Sequence, residues 1–542
     1  MSNCPELKIH KSSQITRISV DPTLESKVAE AREYTSSFFK DHHVRSDLFT
    51  NQTQWAFYDR FFHEIAMPYS KYKNLLEECY GASFIECISP PKDLITILKL
   101  YGYHHSIKLN FKIQFEAAKY LKEIPSIVWR YFLIFHSIVL LSMLYVRSKK
   151  GLLVVWTGDY LGPQKGLLDP RLGDLETRLN ASGIAYLPFV RSSGVSSRLS
   201  LKNFITRRGK AIYYEHLNNF ISSHFKSPNK LPKSRDFFNS AFNNLFYAES
   251  KKLELHTKFW AVIFHKLQIK TFLAWFLSSR TASLIWGAKK ANVPTIGFMH
   301  GVSVLSFMGH ELMPEYEGPP IGTDCFGTWS KWWQNYFLQH ARIYPSNNIE
   351  VSGPLKKTIP LSKTNLPKVL KTVVNVFIVS EAHLPIEQLL PYLEEIIKNQ
   401  NFKIFFKIRS FGADRFWNLM KDHSIYNQYH FEFSDLPSPE CFKNADIILG
   451  THSTAVLEAM SLDKPILILN TAKWGDYFSF NALFEGNCPF WVKSPGEIQK
   501  KIDEALTSDR DWIELYSNFF GEDSGTEWIL KKIESMNKLN QT

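Results

Sequence analysis

Cysteine is scarce and scattered in this 542-residue chain. The six residues (Cys4, Cys79, Cys87, Cys325, Cys441, Cys488) show no C-x-x-C spacing, so neither a disulfide framework nor a paired Cys/His zinc site is expected. The N-terminus, M-S-N-C-P-E-L-K, has neither the charged nor the apolar region of a signal peptide. A reducing, cytoplasmic location is the expectation. Also missing are a D-x-D metal pattern in a convincing loop, a G-x-G-x-x-G after a strand, and a Walker lysine. No metal site and no cofactor is expected. There is no Lys/Arg-rich block of the localisation type, which argues against a nucleic-acid partner. No internal repeat or low-complexity segment occurs. The longest apolar run, Tyr131 to Val146, falls short of the ~20 residues that span a bilayer and carries His136 inside. It reads as a buried helix, although Arg130, Arg147, Lys149 and Lys150 around it would suit anionic lipid.

What is present describes a large packed protein. Hydrophobic residues make up 44%, charged residues 21% and aromatics 15%, and the length allows two to four domains. A net charge of +12 favours an anionic partner, either a phosphorylated small molecule or an anionic membrane surface. Residues 1–150 look mostly helical, with a short strand at Ser83 to Ile88. From Gly151 onward, short apolar runs alternate with helical spacing, the pattern of a parallel α/β sheet. The runs are Leu152 to Trp156, Ile184 to Val190, Thr271 to Phe276, Pro294 to Phe298, Cys325 to Trp329 and Ile349 to Gly353. A Lys/Pro-containing stretch, 355–367, reads as a linker. A second series follows in 368–510, from Val373 to Ser380 through to Phe490 to Val492, and 511–542 is a helical tail. Residues 151–354 and 368–510 are thus two α/β halves, and the crevice between such halves is a preferred ligand site.

The chain is organised around Ile447 to Thr471, which reads as strand, polar turn, helix and strand. Thr451, His452, Ser453 and Thr454 open the helix, where free amide hydrogens and the helix dipole favour a phosphate. Simple helix capping by Ser453 or Thr454 is the alternative. Glu458, one turn on, suits ribose hydroxyls or a capping role. His300 in M-H-G emerges at a strand's carboxyl end, where an imidazole serves as a general base near neutral pH, or merely bonds a neighbouring loop. Gly301 would let the backbone turn there and approach a ligand. Asp159 in T-G-D-Y occupies a matching position, as a base or an Asx-turn. Glu381 follows the first strand of the second half. Lys407 and Arg409 are diphosphate contacts or solvated strand residues, and His310 and Glu311 lie in a loop that suits a lid or an acceptor contact.

V-P-T-I-G-F-M-H-G (Val293 to Gly301), F-G-T-W-S (Phe326 to Ser330), I-E-V-S-G-P (Ile349 to Pro354), G-T-H-S-T-A-V-L-E-A (Gly450 to Ala459) and D-K-P-I-L (Asp463 to Leu467) together resemble GT-B glycosyltransferases of bacterial surface and capsular polysaccharides. The likeness is to the group that includes polysialyltransferases and CDP-glycerol glycerophosphotransferases, over roughly residues 270 to 510. It implies two Rossmann-like domains facing a central cleft, with a mostly helical N-terminal extension. It implies an inverting, metal-independent transfer from a nucleotide-sugar donor to a glycan or lipid-linked acceptor, at the inner face of the cell membrane. His300 or Asp159 would be the base. Ser453 and Thr454 would hold the donor phosphate and Glu458 its ribose, while K-I-R-S at Lys407 to Ser410 departs from the family's donor motif. Two alternatives stay open: a glycerophosphotransferase or sugar-nucleotide epimerase on the same fold, and a non-catalytic component of an export complex.

Overall fold

The computed structural model describes residues 6–12, 14–21, 27–41, 51–112, 124–147, 151–158, 172–191, 201, 204–207, 209–223, 225, 234–302, 309, 311–355, 372–379, 386–407, 432–434, 438–475 and 490–539. Three sheets organise them. The N-terminal region carries a four-stranded sheet of order β2-β1-β3-β4, built from β1 (Glu6–Lys11), β2 (Gln14–Ser19), β3 (Phe84–Ile88) and β4 (Lys108–Lys112). Only β3 is anticipated by the sequence reading. In β1, Leu7 and Ile9 are buried between less buried polar residues, an alternation of only two buried positions, too brief to register as a strand signal. Around this sheet pack helices rich in aromatics, among them α1 (Val28–Asp41), where Phe38 stacks on Phe61 with centroids 4.3 Å apart.

The helix over the longest apolar run, α2 (Ile124–Val146), departs from its expected burial. It is long and apolar enough to cross a membrane, yet most of it is exposed. From residue 127 to the helix end, only Leu133, Ser137 and Leu141 are buried, one face at four-residue spacing. The apolar run therefore does not form a core helix.

The first α/β half contains β5 (Leu153–Gly158), β6 (Tyr186–Arg191), β7 (Thr271–Leu273), β8 (Thr295–Phe298), β9 (Cys325–Thr328) and β10 (Ile349–Val351). They form one parallel sheet of order β10-β9-β8-β7-β5-β6. Its crossovers include α3 (Tyr214–Ile221), α4 (Phe237–Lys266) and, between the last two strands, α5 (Lys331–His340). Asp236 starts α4 by accepting from the Asn239 amide at 2.8 Å, a side-chain cap.

The second half repeats the plan with β11 (Val374–Val379), β12 (Phe402–Lys407), β13 (Glu432–Ser434), β14 (Ile447–Gly450), β15 (Ile466–Leu469) and β16 (Trp491–Val492). Its parallel order is β13-β12-β11-β14-β15-β16. Counted within the half, this is the doubly wound 3-2-1-4-5-6 arrangement, whose chain direction reverses between β11 and β14. The molecule is thus two Rossmann-like halves with an N-terminal extension, a GT-B-like fold. A short helix α6 (Thr454–Glu458) follows β14.

The tail, α7 (Trp512–Phe520) and α8 (Gly525–Leu539), crosses back onto the first half. Phe520 stacks on Trp329 at 5.0 Å, Trp528 donates to Glu350 at 3.0 Å, and Thr526 donates to Asp174 at 2.6 Å. The crossing depends on Gly353, whose φ is +76° and whose added Cβ would lie 2.1 Å from the Asp523 carbonyl oxygen. No other residue fits that backbone and that contact.

Candidate functional site

Two polar turns lie at the carboxyl ends of central strands. The first follows β8. Thr295 is fixed at the strand's start by Asp324, which accepts from its amide and hydroxyl at 2.8 Å each. At the strand's end the Phe298 amide donates to the Trp275 carbonyl at 3.2 Å and the Met299 amide to Gly327 at 2.9 Å. The Trp329 indole caps the Met299 carbonyl at 3.2 Å. With its backbone held this way, the His300 imidazole lies nearly parallel to Trp275 (4.6 Å, 19°) and Phe276 (5.2 Å, 22°). His300 Nδ1 stands 3.9 Å from Glu311 Oε1, with 16% of the histidine side chain and 1% of the glutamate side chain exposed. That separation is beyond a good hydrogen bond but inside the range that tightens when a ligand closes a site.

Glu311 is therefore not a lid contact: it is a buried carboxylate beneath the histidine. Tyr344 lies close enough that, after burial, the charge of Glu311 helps push its phenol well above the ordinary range. Gly301 has ordinary negative-φ backbone and open space where a Cβ would stand. Its value to the turn is room beside His300, not the sharp backbone bend expected from the sequence.

The second turn follows β14 at the switch point of its sheet. Gly450 is the closest approach of strand and helix, since a Cβ there would lie 2.3 Å from a Val456 methyl group. Thr451 is buried and its hydroxyl lies 3.0 Å from His452 Nδ1. The His452 ring stacks on Trp474 at 3.7 Å and 19°. Ser453 is the N-cap of α6, accepting from the Ala455 amide at 3.3 Å. Thr454 opens the helix, and both it and Glu458 are half-buried. The helix runs five residues before tightening to a 3₁₀ turn over Ala459–Leu462, so the dipole available to an anion is that of a single turn. The capping reading of Ser453 is realised in the geometry.

Among the described residues no group of three His, Cys, Asp or Glu could hold a metal ion. Lys407 ends β12. Asp159, His310, Glu381 and Arg409 lie outside the described residues.

The N-terminal extension joins the two turns. The Val28 amide at the start of α1 donates to the Lys473 carbonyl at 3.4 Å, beside the Trp474 that stacks on His452. One turn further along α1, Arg32 donates to Glu315 at 2.8 Å, and a turn beyond that Ser36 also donates to that carboxylate. Tyr58 donates to the other oxygen at 2.9 Å. Glu315 sits four residues beyond Glu311, so one helix, with ~1.5 Å rise per residue, braces both turns. Sequence reading singled out neither this brace nor the ring partners Trp275, Phe276 and Trp474. The signal for Trp474 is the T-A-K-W directly after a strand, an aromatic with a cation beside it at a strand's carboxyl end.

No family model matches the chain, and no curated protein does. It is similar to solved structures of sugar-nucleotide epimerases. One is a UDP-N-acetylglucosamine 2-epimerase from Rickettsia bellii (13% identity, 72% of this chain and 99% of that one, TM-score 0.41). Another is from Neisseria meningitidis, bound to UDP-GlcNAc (11%, 71% and 99%, 0.40). A third, from Methanocaldococcus jannaschii, holds UDP-GlcNAc and UDP (14%, 71% and 99%, 0.41). At these values the likeness is one of architecture, with no residue-by-residue correspondence. The expected resemblance was to capsule-type glycosyltransferases, polysialyltransferases and glycerophosphotransferases, whereas the solved structures found are sugar-nucleotide epimerases. The inverting glycosyltransferase assignment and the glycan or lipid-linked acceptor do not stand with it. The physical reason is that short polar motifs at strand ends report where a fold binds ligand, and one fold serves several reactions there.

Proposed function

We propose that this chain binds a nucleotide sugar and inverts one carbon of its sugar without any acceptor. The observation that carries the reading is the His300–Glu311 pair: an imidazole flanked by two aromatic faces, 3.9 Å from a buried carboxylate, with little of either in solvent. Transfer to a polymeric acceptor calls for an open face beside the base. An enclosed pair suits a small sugar delivered on its own nucleotide. The architectural likeness to sugar-nucleotide epimerases adds no support of its own; the enclosed site does.

In this reading the nucleotide diphosphate lies at the β14 turn, against Thr451, His452, Ser453 and Thr454, with Glu458 toward the ribose. Trp474 supports His452 from behind, and Lys407, Arg409 and Glu381 are the further candidates on that side. The sugar extends toward the β8 turn. Epimerisation next to the anomeric carbon removes a proton while its electron pair forms a C1=C2 double bond and the anomeric C–O bond to the nucleotide breaks. The nucleotide then re-adds as a proton returns to the opposite face, which calls for proton-transfer groups on two sides. His300, oriented by Glu311, is one. Asp159 is the candidate for the other, because it directly follows Gly158, the last residue of β5, and only β7 stands between β5 and β8 in the sheet. Basic charge in the chain suits the anionic nucleotide.

The test is incubation of the purified chain with UDP-GlcNAc alone, followed by chromatography of the sugar nucleotides. Two epimeric sugar nucleotides, reached from either side, are expected. Unchanged UDP-GlcNAc in protein that binds it would contradict the reading, as would product formed only on adding a glycan.

A further inference from the structure

Among the described residues, no other helix is as long and apolar as α2 while lying mostly exposed. Its inner face is fastened along its length. Leu133 packs with Val190, Ala211 and Tyr213, Ser137 accepts from the Tyr213 amide at 3.0 Å, and Leu141 joins the main core. The opposite stripe, Val128, Tyr131, Phe135, Ile138 and Tyr145, recurs at helical spacing and is exposed, three of its members to 66%, 64% and 67%. Phe204 packs edge-on against Trp129 and Phe132 at 5.7 and 5.3 Å. Its neighbour Ile205 and the nearby Lys210 are exposed, so apolar surface continues off the helix with a cation beside it. Ordinary amphipathic helices present charge to water on this side; this one presents hydrocarbon.

We propose that α2 seats the protein on an anionic bilayer, lying in the interface with its outer face among the lipid headgroups and upper acyl chains. It lies flat instead of spanning, because the contacts from Leu133 to Leu141 hold one side of the helix to the first α/β half. Charge selects lipid over a second protein surface. From Ile124 to Gly158 the chain has no Asp or Glu, while Arg130, Arg147, Lys149 and Lys150 are present. Cations around an apolar face are drawn to anionic headgroups, whereas two such faces on two copies of the chain would bring like charges together. Trp129, Tyr131 and Tyr145 near the ends of the helix are the residue types favoured at the membrane–water boundary. The inference is independent of the reaction proposed above, since no residue of α2 belongs to the site.

The experiment is co-sedimentation of the full chain with phosphatidylcholine vesicles, with and without phosphatidylglycerol, alongside the double substitution Phe135→Asp, Ile138→Asp. Both side chains are exposed, so the melting temperature of the variant should match the parent and serves as the folding control. Binding at least about tenfold stronger to the anionic vesicles, weakened by salt and reduced about tenfold or more in the variant, is expected. A chain that stays in the supernatant with both vesicle types overturns the proposal. So does equal binding to both, and so does a dimer in light scattering that the same substitutions split while vesicles are ignored.

Discussion

Two kinds of histidine occur in this molecule, and they make different predictions. In the proposed reaction His300 is a proton-transfer group. His300→Ala should lower kcat by about 10²-fold or more, and Glu311→Gln should lower kcat and shift the acid limb of the pH–rate profile. A purely structural role for Glu311 would lower the melting temperature and leave that limb in place. His256 and His216 are structural. His256 donates from Nε2 to the Asn218 carbonyl at 2.8 Å, and burial first of all lowers its pKa to about 4. Burial, then the nearby Arg130, lowers His216 to about 4 as well. With folded values below the unfolded value of about 6.5, the unfolded chain takes up protons first as pH falls. Their stabilisation is fully present above about pH 7 and is lost toward pH 4, on the order of 2 kcal/mol each by pH 5. Urea unfolding at pH 7.5 and pH 5 should show that loss, and His256→Gln, which keeps a donor for Asn218, should remove about half of it. Equal stability at the two pH values would contradict the assignment.

At the scale of elements, α1 has the clearest consequence. Arg32 and Glu315 form a pair with side chains only 13% and 7% exposed, and Tyr58 and Ser36 share the same carboxylate. Removing one partner strands a buried charge, so Arg32→Ala should cost about 3 kcal/mol. It should also reduce turnover, because Glu315 anchors the segment that carries Glu311. A variant with lowered stability but unchanged turnover would separate the brace from the site. The elements also divide by how legible they are in sequence. Every strand of the two large sheets falls on a segment expected to be a strand, and the central ones β8, β14 and β15 are short apolar runs, because a parallel strand buried on both faces must be one. Strands β1, β2 and β4 were not legible. They have few buried positions, β2 being almost wholly exposed, and the β1–β2 hairpin joins the sheet only through β3, far along the chain. Helix α2 shows the converse limit: hydropathy marks a helix as apolar but does not say whether protein or something else covers it.

At the scale of the whole molecule, the two Rossmann-like halves were legible, and so was the placing of His300 and the Thr451 to Thr454 turn at strand ends. The return of α7 and α8 to the first half was not, since it rests on long-range contacts such as Trp528 to Glu350 and on the fit of Gly353 against Asp523. Nor was the enclosure of His300 by Trp275, Phe276 and Glu311, which come from different connections after strands β7 and β8. Which reaction the site would carry out was the least legible of all, because polar motifs at strand ends mark where a fold binds ligand and not the chemistry done there. That chemistry is accessible to one measurement: proton NMR of UDP-GlcNAc incubated with the chain in D₂O, without acceptor. The account predicts an epimeric sugar nucleotide carrying solvent deuterium at the inverted carbon, abolished in His300→Ala. A sugar nucleotide that binds, keeps its configuration and takes up no deuterium would contradict it.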